Sequence, residues 1–236
     1  MISTPNKDRR CLTARTFIEV CPGVRQLSLP PFNVVNVFLV GDVLVDTGTA
    51  FTPQRVLQAL RPHAVIAIAL THAHPDHQGG AHEICTALDI PLWCGKVDRD
   101  AVESGELSGL LPAPHGLLAT VSQPLAGPAH PVSRTLQEGD EVADFIIIST
   151  PGHTRGHVSF WRPSDRTLVV GDVLFHRSPV TLRSGLREPY AMITYDQEEN
   201  RRSIRKIAEL RPAIVCFGHG EPLADPNQIS DFAALM

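Results

Sequence analysis

Six positions of the run Thr-His-Ala-His-Pro-Asp-His-Gln-Gly-Gly, residues 71–80, hold His72, His74, Asp76 and His77. Imidazole nitrogens and a carboxylate are the donors that suit zinc and neighbouring transition metals. The run follows the apolar stretch 64–70 directly, so the four groups gather at the exit of a buried strand. Turn residues and capping histidines are the bland alternative, but four such groups in six positions have few structural uses. A metal site is expected here, with its missing ligands supplied from elsewhere in the chain.

Three further donors stand just after apolar runs. His153 lies in Thr-Pro-Gly-His-Thr, Asp172 in Val-Val-Gly-Asp and His219 in Phe-Gly-His-Gly. Strand ends on one edge of a sheet open onto a common cleft, and the neighbouring glycines allow the turns that aim each side chain inward. Asp46 closes Val-Leu-Val-Asp-Thr-Gly in the same manner. It reads either as a residue that orients a ligand or as an ordinary turn aspartate.

The elements that must carry these groups follow from pattern. Residues 24–29, 33–40 and 42–46 read as short strands, and Pro53 opens a helix over 52–61. Residues 65–70 form a near-continuous apolar strand of the kind buried on both faces. A helix over 80–88, a strand over 91–94 and a short helix over 97–103 come next. Residues 104–134, rich in proline and glycine and holding His115 and His130, show little periodicity and are expected to form a loop or lid. Strands resume at 145–150, 158–162 and 167–170. A charged amphipathic helix over 196–210 has Asp196 as its N-cap, and a last buried strand spans 213–217. Two sheets packed together with helices outside account for this order. Residues 1–15 read as a loose arm, and 1–236 as a single domain.

Composition bounds the function. A chain of 236 residues with 43% hydrophobic and 19% charged residues suits one soluble domain. The net charge of −4, with no long basic run, disfavours nucleic acid as a partner. No apolar run approaches the roughly 20 residues that span a bilayer, so no membrane partner is expected. The five cysteines (Cys11, Cys21, Cys85, Cys94, Cys216) are odd in number and form no CxxC pair, which points to reduced thiols and a cytoplasmic setting. Cys216 reads as a small buried hydrophobe. A homodimer is among the oligomeric states the sequence allows.

Taken in order, Asp46, the His-x-His-x-Asp-His run at 72–77, His153, Asp172 and His219 resemble the metallo-β-lactamase-fold superfamily of hydrolases, most closely its glyoxalase II-like members. The resemblance covers most of the chain. It implies an αββα four-layer sandwich, an α+β fold of two mixed sheets packed face to face with helices outside. It also implies a two-metal site at one edge, with His72, His74 and His153 on the first ion, Asp76, His77 and His219 on the second, and Asp172 bridging both. Two divalent ions, zinc first and iron or manganese as alternatives, would lower the pKa of a bridging water from 15.7 toward ~7. The implied reaction is attack of that hydroxide on the carbonyl of a small ester, thioester or lactone. Asp76 and Asp172 are the catalytic carboxylates in this scheme, and Asp46 would fix a ligand histidine or its loop.

Within the superfamily several assignments compete. Asp172 counts against a true β-lactamase, where cysteine or serine generally stands. Gly-Asp-Val-Leu-Phe is similar to the glyoxalase II branch, yet only 17 residues follow His219, whereas that branch adds a helical region for glutathione. Acyl-homoserine lactonases usually carry tyrosine three residues after the bridging aspartate, and Phe175 stands there. A lactamase-like hydrolase of broad specificity and a mononuclear-iron persulfide dioxygenase, using the positions of His72, His153 and Asp172, are the alternatives. For the small-molecule substrate, His176, Arg177, Arg183, Arg187, Tyr190 and Tyr195 are candidate pocket residues, since arginine pairs bidentately with carboxylate or phosphate. The bland reading is a solvated loop. His82, His115 and His130 read as surface residues, and His157 as a buried hydrogen-bonding histidine.

Overall fold

Side chains alternate along nearly every strand, so each strand feeds two apolar layers at once. The computed structural model describes residues 16–29, 34–107, 109–112, 120, 122–225 and 227–236. The first sheet has seven strands in chain order: β1 (Ile18–Cys21), β2 (Val24–Leu29), β3 (Val35–Val40), β4 (Val43–Val45), β5 (Ala67–Ala69), β6 (Leu92–Gly95) and β7 (Val132–Leu136). Strands β1 to β4 form an antiparallel meander, and β4 to β7 run parallel. Parallel neighbours need crossovers. These contain α1 (Pro53–Leu60), the single turn α2 (Pro75–Gln78), α3 (Ala81–Leu88) and α4 (Arg99–Ser104).

After β7 the chain builds β8 (Glu141–Val142), β9 (Phe145–Ser149), β10 (Val158–Arg162) and β11 (Thr167–Gly171), then a separate hairpin of β12 (Phe175–Arg177) and β13 (Ser184–Arg187). Helix α5 (Gln197–Glu209) leads to β14 (Ile214–Phe217), and α6 (Gln228–Ala234) follows. The second sheet has the order β14-β11-β10-β9-β8, with β14 parallel to β11 and the others antiparallel. Asp196 caps α5 by accepting from Glu199 N at 2.9 Å, as its position before the charged helix suggests.

Three apolar layers result. Phe38, Val40, Val43, Val45 and Ala69 of the first sheet face Phe145, Ile147, Phe160, Val169 and Cys216 of the second. Each fully buried phenylalanine here contributes roughly 1.5–3 kcal/mol of transfer free energy. Alternate residues such as Leu39, Leu44 and Ile68 pack under α1 and α3, against Val56, Leu60 and Ile84. On the far side Leu168, Val170, Val215 and Phe217 pack against Ile204 and Ile207 of α5 and Ile229 of α6. The result is the helix–sheet–sheet–helix sandwich expected from the sequence, and β5 is buried on both faces. Cys21, Cys85, Cys94 and Cys216 are free and buried; burial pushes the Cys85 and Cys94 thiols up to about 12, so they serve as packing groups. Among the described residues no helix is long and apolar enough to cross a membrane.

The described residues of the 104–134 segment between α4 and β7 are mostly turns and irregular backbone. The segment contains a 3-10 turn at Gln123–Leu125, and β7 within its last residues closes the first sheet beside β6. Only Val132 and Leu136 of β7 are buried, too short an alternation to stand out after the dense prolines. His115 lies outside the described residues, as does the arm 1–15. The candidate pocket segment 176–195 includes most of the β12–β13 hairpin, where the bland reading expected a loop.

Candidate metal centre

Five strand exits deliver the donors to one place: β4 brings Asp46, β5 the 72–77 run, β9 His153, β11 Asp172 and β14 His219. Pro75 begins the α2 turn, which places Asp76 and His77 one helical step beyond His74. Two glycines make the crowding feasible. Gly171 has φ +59°, and a Cβ there would meet His157 Nε2 at 2.6 Å; a Cβ on Gly218 would run into Asp172 Oδ1.

Asp172 is the hub. Its Oδ2 lies 3.0 Å from His219 Nε2, 3.3 Å from His77 Nε2, 3.4 Å from His153 Nε2 and 3.8 Å from His72 Nε2. His74 Nδ1 faces His153 Nε2 at 2.8 Å, and Asp76 Oδ2 is 3.4 Å from His219 Nε2. All seven residues expected from the sequence thus meet in one cluster. Three overlapping groups have donor atoms within 4.8 Å of one another: His72, His74 and His153; His72, His77 and Asp172; Asp76, His77 and His219.

Four of the cluster's five imidazoles are oriented from behind. His72 Nδ1 meets Thr71 Oγ1 at 2.9 Å, His77 Nδ1 meets Asp46 Oδ2 at 2.8 Å, His153 Nδ1 meets Thr194 Oγ1 at 3.3 Å, and His219 Nδ1 bonds Val34 O. In these four rings Nε2 is therefore the nitrogen left for the cluster. Partners of this kind fix tautomer and ring orientation at metal sites. Asp46 adopts a left-handed backbone, φ 63°, which is uncommon outside glycine and places its carboxylate between strands. There it accepts from Thr71 N and Thr71 Oγ1, both at 2.8 Å, as well as meeting His77.

Electrostatics divide the cluster. Burial, reinforced by neighbouring imidazoles, pushes His72 well below the usual range and His74 down to about 3, so both present neutral lone pairs. Burial would also lower His77 and His219, but the carboxylates win. Asp172 and Asp46 hold His77 well above its ordinary value, and Asp172 and Asp76 lift His219 to about 10. Conversely, burial would raise Asp172 and Asp76, while His77 and His219 hold both below the carboxylate range.

A divalent ion fits these residues. His72 Nε2 and Asp172 Oδ1 are buried without a hydrogen-bond partner, and a polar atom left so costs roughly 1–3 kcal/mol. The donor set of imidazoles and carboxylates is also the one that zinc and its neighbours prefer.

The remaining sequence candidates do not join the cluster, and three of them hold it through their backbone amides. His176 N and Arg177 N both donate to His219 O, at 2.9 and 3.1 Å, and Tyr195 N donates to His153 O at 3.1 Å. The His176 ring meets Glu221 O, Arg177 pairs with Glu221 at 2.8 Å, and Tyr190 meets Ser178 Oγ at 2.6 Å. Arg183 is exposed, Arg187 bonds carbonyls of its own hairpin, and Tyr195 stacks under Arg155. His157, buried as expected, accepts from Asp172 N at 3.0 Å. His82 and His130 pair with each other at 3.3 Å, away from the cluster.

Two residues escape sequence reasoning. Asp98 precedes α4, where an aspartate reads as an N-cap, but it makes no cap bond. Its carboxylate instead accepts from Ala73 N (3.0 Å), Thr154 Oγ1 (2.7 Å) and Gly156 N (2.7 Å), tying the 72–77 run to the His153 loop. Asn36, fully buried in β3, donates to Phe217 O at 2.9 Å and Gly220 O at 2.6 Å and so holds the His219 turn. A polar residue inside an apolar strand is the available signal for Asn36.

The cluster forms one side of a cavity of about 200 Å³. Leu107, Leu111, Ser122 and Leu125 from the 104–134 segment, with Pro179 and Ile193, line the rest.

Comparison with known proteins places this arrangement. The family model described as the Metallo-beta-lactamase superfamily matches residues 30–219. "Probable metallo-hydrolase YflN" of Bacillus subtilis (strain 168) is 29% identical over 92% of this chain and 91% of its own. A "Hydroxyacylglutathione hydrolase" of Bdellovibrio bacteriovorus is 30% identical over 80% of this chain but only 64% of its own length. Among solved structures, TTHA1623 in a di-iron-bound form is 28% identical with a TM-score of 0.67, covering 84% of this chain and 93% of that one.

Proposed function

Because the chain belongs to the metallo-beta-lactamase superfamily, we propose that it is a dinuclear metal-dependent hydrolase of a small ester, thioester or lactone. The observation that carries this proposal is Asp172, whose one oxygen lies within 3.8 Å of four imidazole nitrogens drawn from both halves of the cluster. In a dinuclear centre such a carboxylate would serve both ions. His72, His74 and His153 would hold the first, Asp76, His77 and His219 the second. Zinc suits the imidazole-rich set, and the di-iron form of a relative makes iron the alternative. Bound there, the ions would activate a shared water at neutral pH and polarise the substrate carbonyl.

The chain's own residues do the rest. Thr71, Asp46, Thr194 and the Val34 carbonyl keep four imidazole rings turned toward the cleft. Asp76, partly open to the cavity, lines the space an incoming substrate would enter and would steer a proton there. The leucines and Ile193 opposite keep bulk water from the reacting carbonyl. The unpaired thiols of the described cysteines agree with a cytoplasmic setting, which forms part of the same proposal.

Chelation tests the function. Protein stripped with a chelator is expected to lose hydrolysis of a panel of thioesters, esters and lactones, and to recover it when two equivalents of zinc per chain are returned. Undiminished turnover by the stripped protein would refute a metal-dependent reaction. A narrower prediction concerns Asp46. Asp46→Asn leaves the shape but weakens the hold on His77 Nδ1, so kcat/KM should fall about 10–100-fold, with weaker metal binding at the second site. A change of less than twofold would remove Asp46 from this role.

A further inference from the structure

The side of the cavity facing the metal cluster has a chemistry of its own. Leu107, Leu111 and Leu125 come from one segment, Pro179 and Ile193 from another, and together they make an aliphatic wall opposite His74, Asp76 and His153. Leu107 and Leu111 are buried, while Leu125 and Ile193 are half-buried at the opening. No lysine or arginine among the described residues lines the cavity. Of the cations nearby in sequence, Arg177 pairs with Glu221, Arg187 with its hairpin carbonyls and Arg155 stacks over the Tyr195 ring, while Arg183 is exposed and does not line the cavity.

The apolar surface also continues outward. Val180 (73% exposed) and Met192 (64%) adjoin Pro179 and Ile193 in the chain. Phe51 (75% exposed) follows Ala50, whose N–H donates to Leu125 O at 2.9 Å. Single exposed hydrophobics are ordinary, but these three stand beside cleft residues in the chain or next to a backbone bond to Leu125, and so offer apolar surface at the rim.

We propose that this wall and rim bind the acyl chain of the substrate, which is a thioester or ester of an unbranched, apolar acyl group with an uncharged leaving group. This inference rests on the hydrolase function proposed above. The acyl carbonyl lies at the metal cluster and the alkyl chain runs along Leu107, Leu111, Leu125 and Ile193 toward the rim. In the reaction one water forms the new C–O bond at the acyl carbon, the acyl–sulfur or acyl–oxygen bond breaks, and the thiol or alcohol departs with a proton. Hydroxyacyl-glutathione fits this cleft poorly: apart from Ser122 its hydroxyl would meet aliphatic carbon, and among the described residues the lining has no lysine or arginine for the carboxylates of glutathione.

The test uses S-acyl-N-acetylcysteamine thioesters from acetyl to octanoyl, assayed on the metal-loaded protein, with lactoyl-glutathione for comparison. Uncleavable S-alkyl thioethers of the same lengths, titrated by calorimetry into loaded and metal-free protein, report binding apart from turnover. Both kcat/KM and affinity should rise about fourfold per methylene, ~100-fold or more from acetyl to hexanoyl. Leu125→Asn and Ile193→Asn sit at half-buried positions that can take a polar side chain. In each, the gain in affinity per methylene should fall below about twofold, with the melting temperature checked alongside. Turnover that is flat or falls with chain length, or a preference for lactoyl-glutathione, would overturn the acyl wall while leaving the hydrolase standing. Failure of the loaded protein to cleave any ester, thioester or lactone would overturn both.

Discussion

Asp172→Ala is expected to lower hydrolysis on the order of 10³-fold or more, with far-UV circular dichroism and gel-filtration behaviour unchanged. The size follows from the number of partners lost in one step. Among the described residues, Asp172 is the one whose carboxylate reaches imidazoles of both halves of the cluster, His72 and His153 on one side, His77 and His219 on the other. Without it the two proposed ions share no protein ligand, and the positive charge of the pair has one carboxylate fewer to offset it. The fold should persist because β11 is anchored by its own ladder to β10 and β14. Metal content should fall together with activity. A variant that kept full turnover would show that Asp172 does not bridge.

Asp98→Ala should destabilise the fold far more than Asp46→Asn or Asp172→Ala. The carboxylate is 1% exposed and satisfies three buried donors on two different loops. Burial raises its pKa against those hydrogen bonds, so the site holds the charge only because Thr154, Gly156 and Ala73 converge on it. Orphaning three donors should cost about 3 kcal/mol or more, roughly a 10 °C drop in melting temperature for a chain of this size. The loss should extend to chemistry, because the two loops carry His72, His74 and His153. Metal affinity of the first site should fall in step with stability, and Asp98→Asn, which keeps the shape and some of the bonds, should lie between. A destabilised variant that still binds metal at full strength would limit Asp98 to the fold.

The candidate ligands are easy to read from sequence and the rest is hard for a common physical reason. Metal donors are few in kind, and here each follows an apolar strand, so residue type and local pattern together point to the cleft before any tertiary contact is known. The sheets are legible on similar grounds: strands such as β5, β10 and β11 are short apolar runs bounded by turn residues. β12 and β13 are not, because Phe-His-Arg and Ser-Gly-Leu-Arg hold one apolar residue each, too few to show alternation. Asp98 is invisible because its function depends on donors 25 and 56–58 residues away, while its local setting imitates a helix cap. The sequence of 176–195 suggests substrate-binding side chains. The segment supports the centre through backbone amides of His176, Arg177 and Tyr195, a contribution no side-chain pattern can reveal, and it lines the cavity with Pro179 and Ile193. The cavity wall draws on Leu107, Leu111, Leu125 and Ile193, ordinary aliphatic residues whose meaning comes only from facing the cluster.

The most direct test of the central claim is metal analysis of the protein purified without added metal. A dinuclear hydrolase predicts about two divalent ions per chain, zinc foremost, and Asp172→Ala protein should retain markedly less. One iron per chain, with oxygen consumed on addition of glutathione persulfide, would contradict the account and make the cluster a mononuclear redox centre.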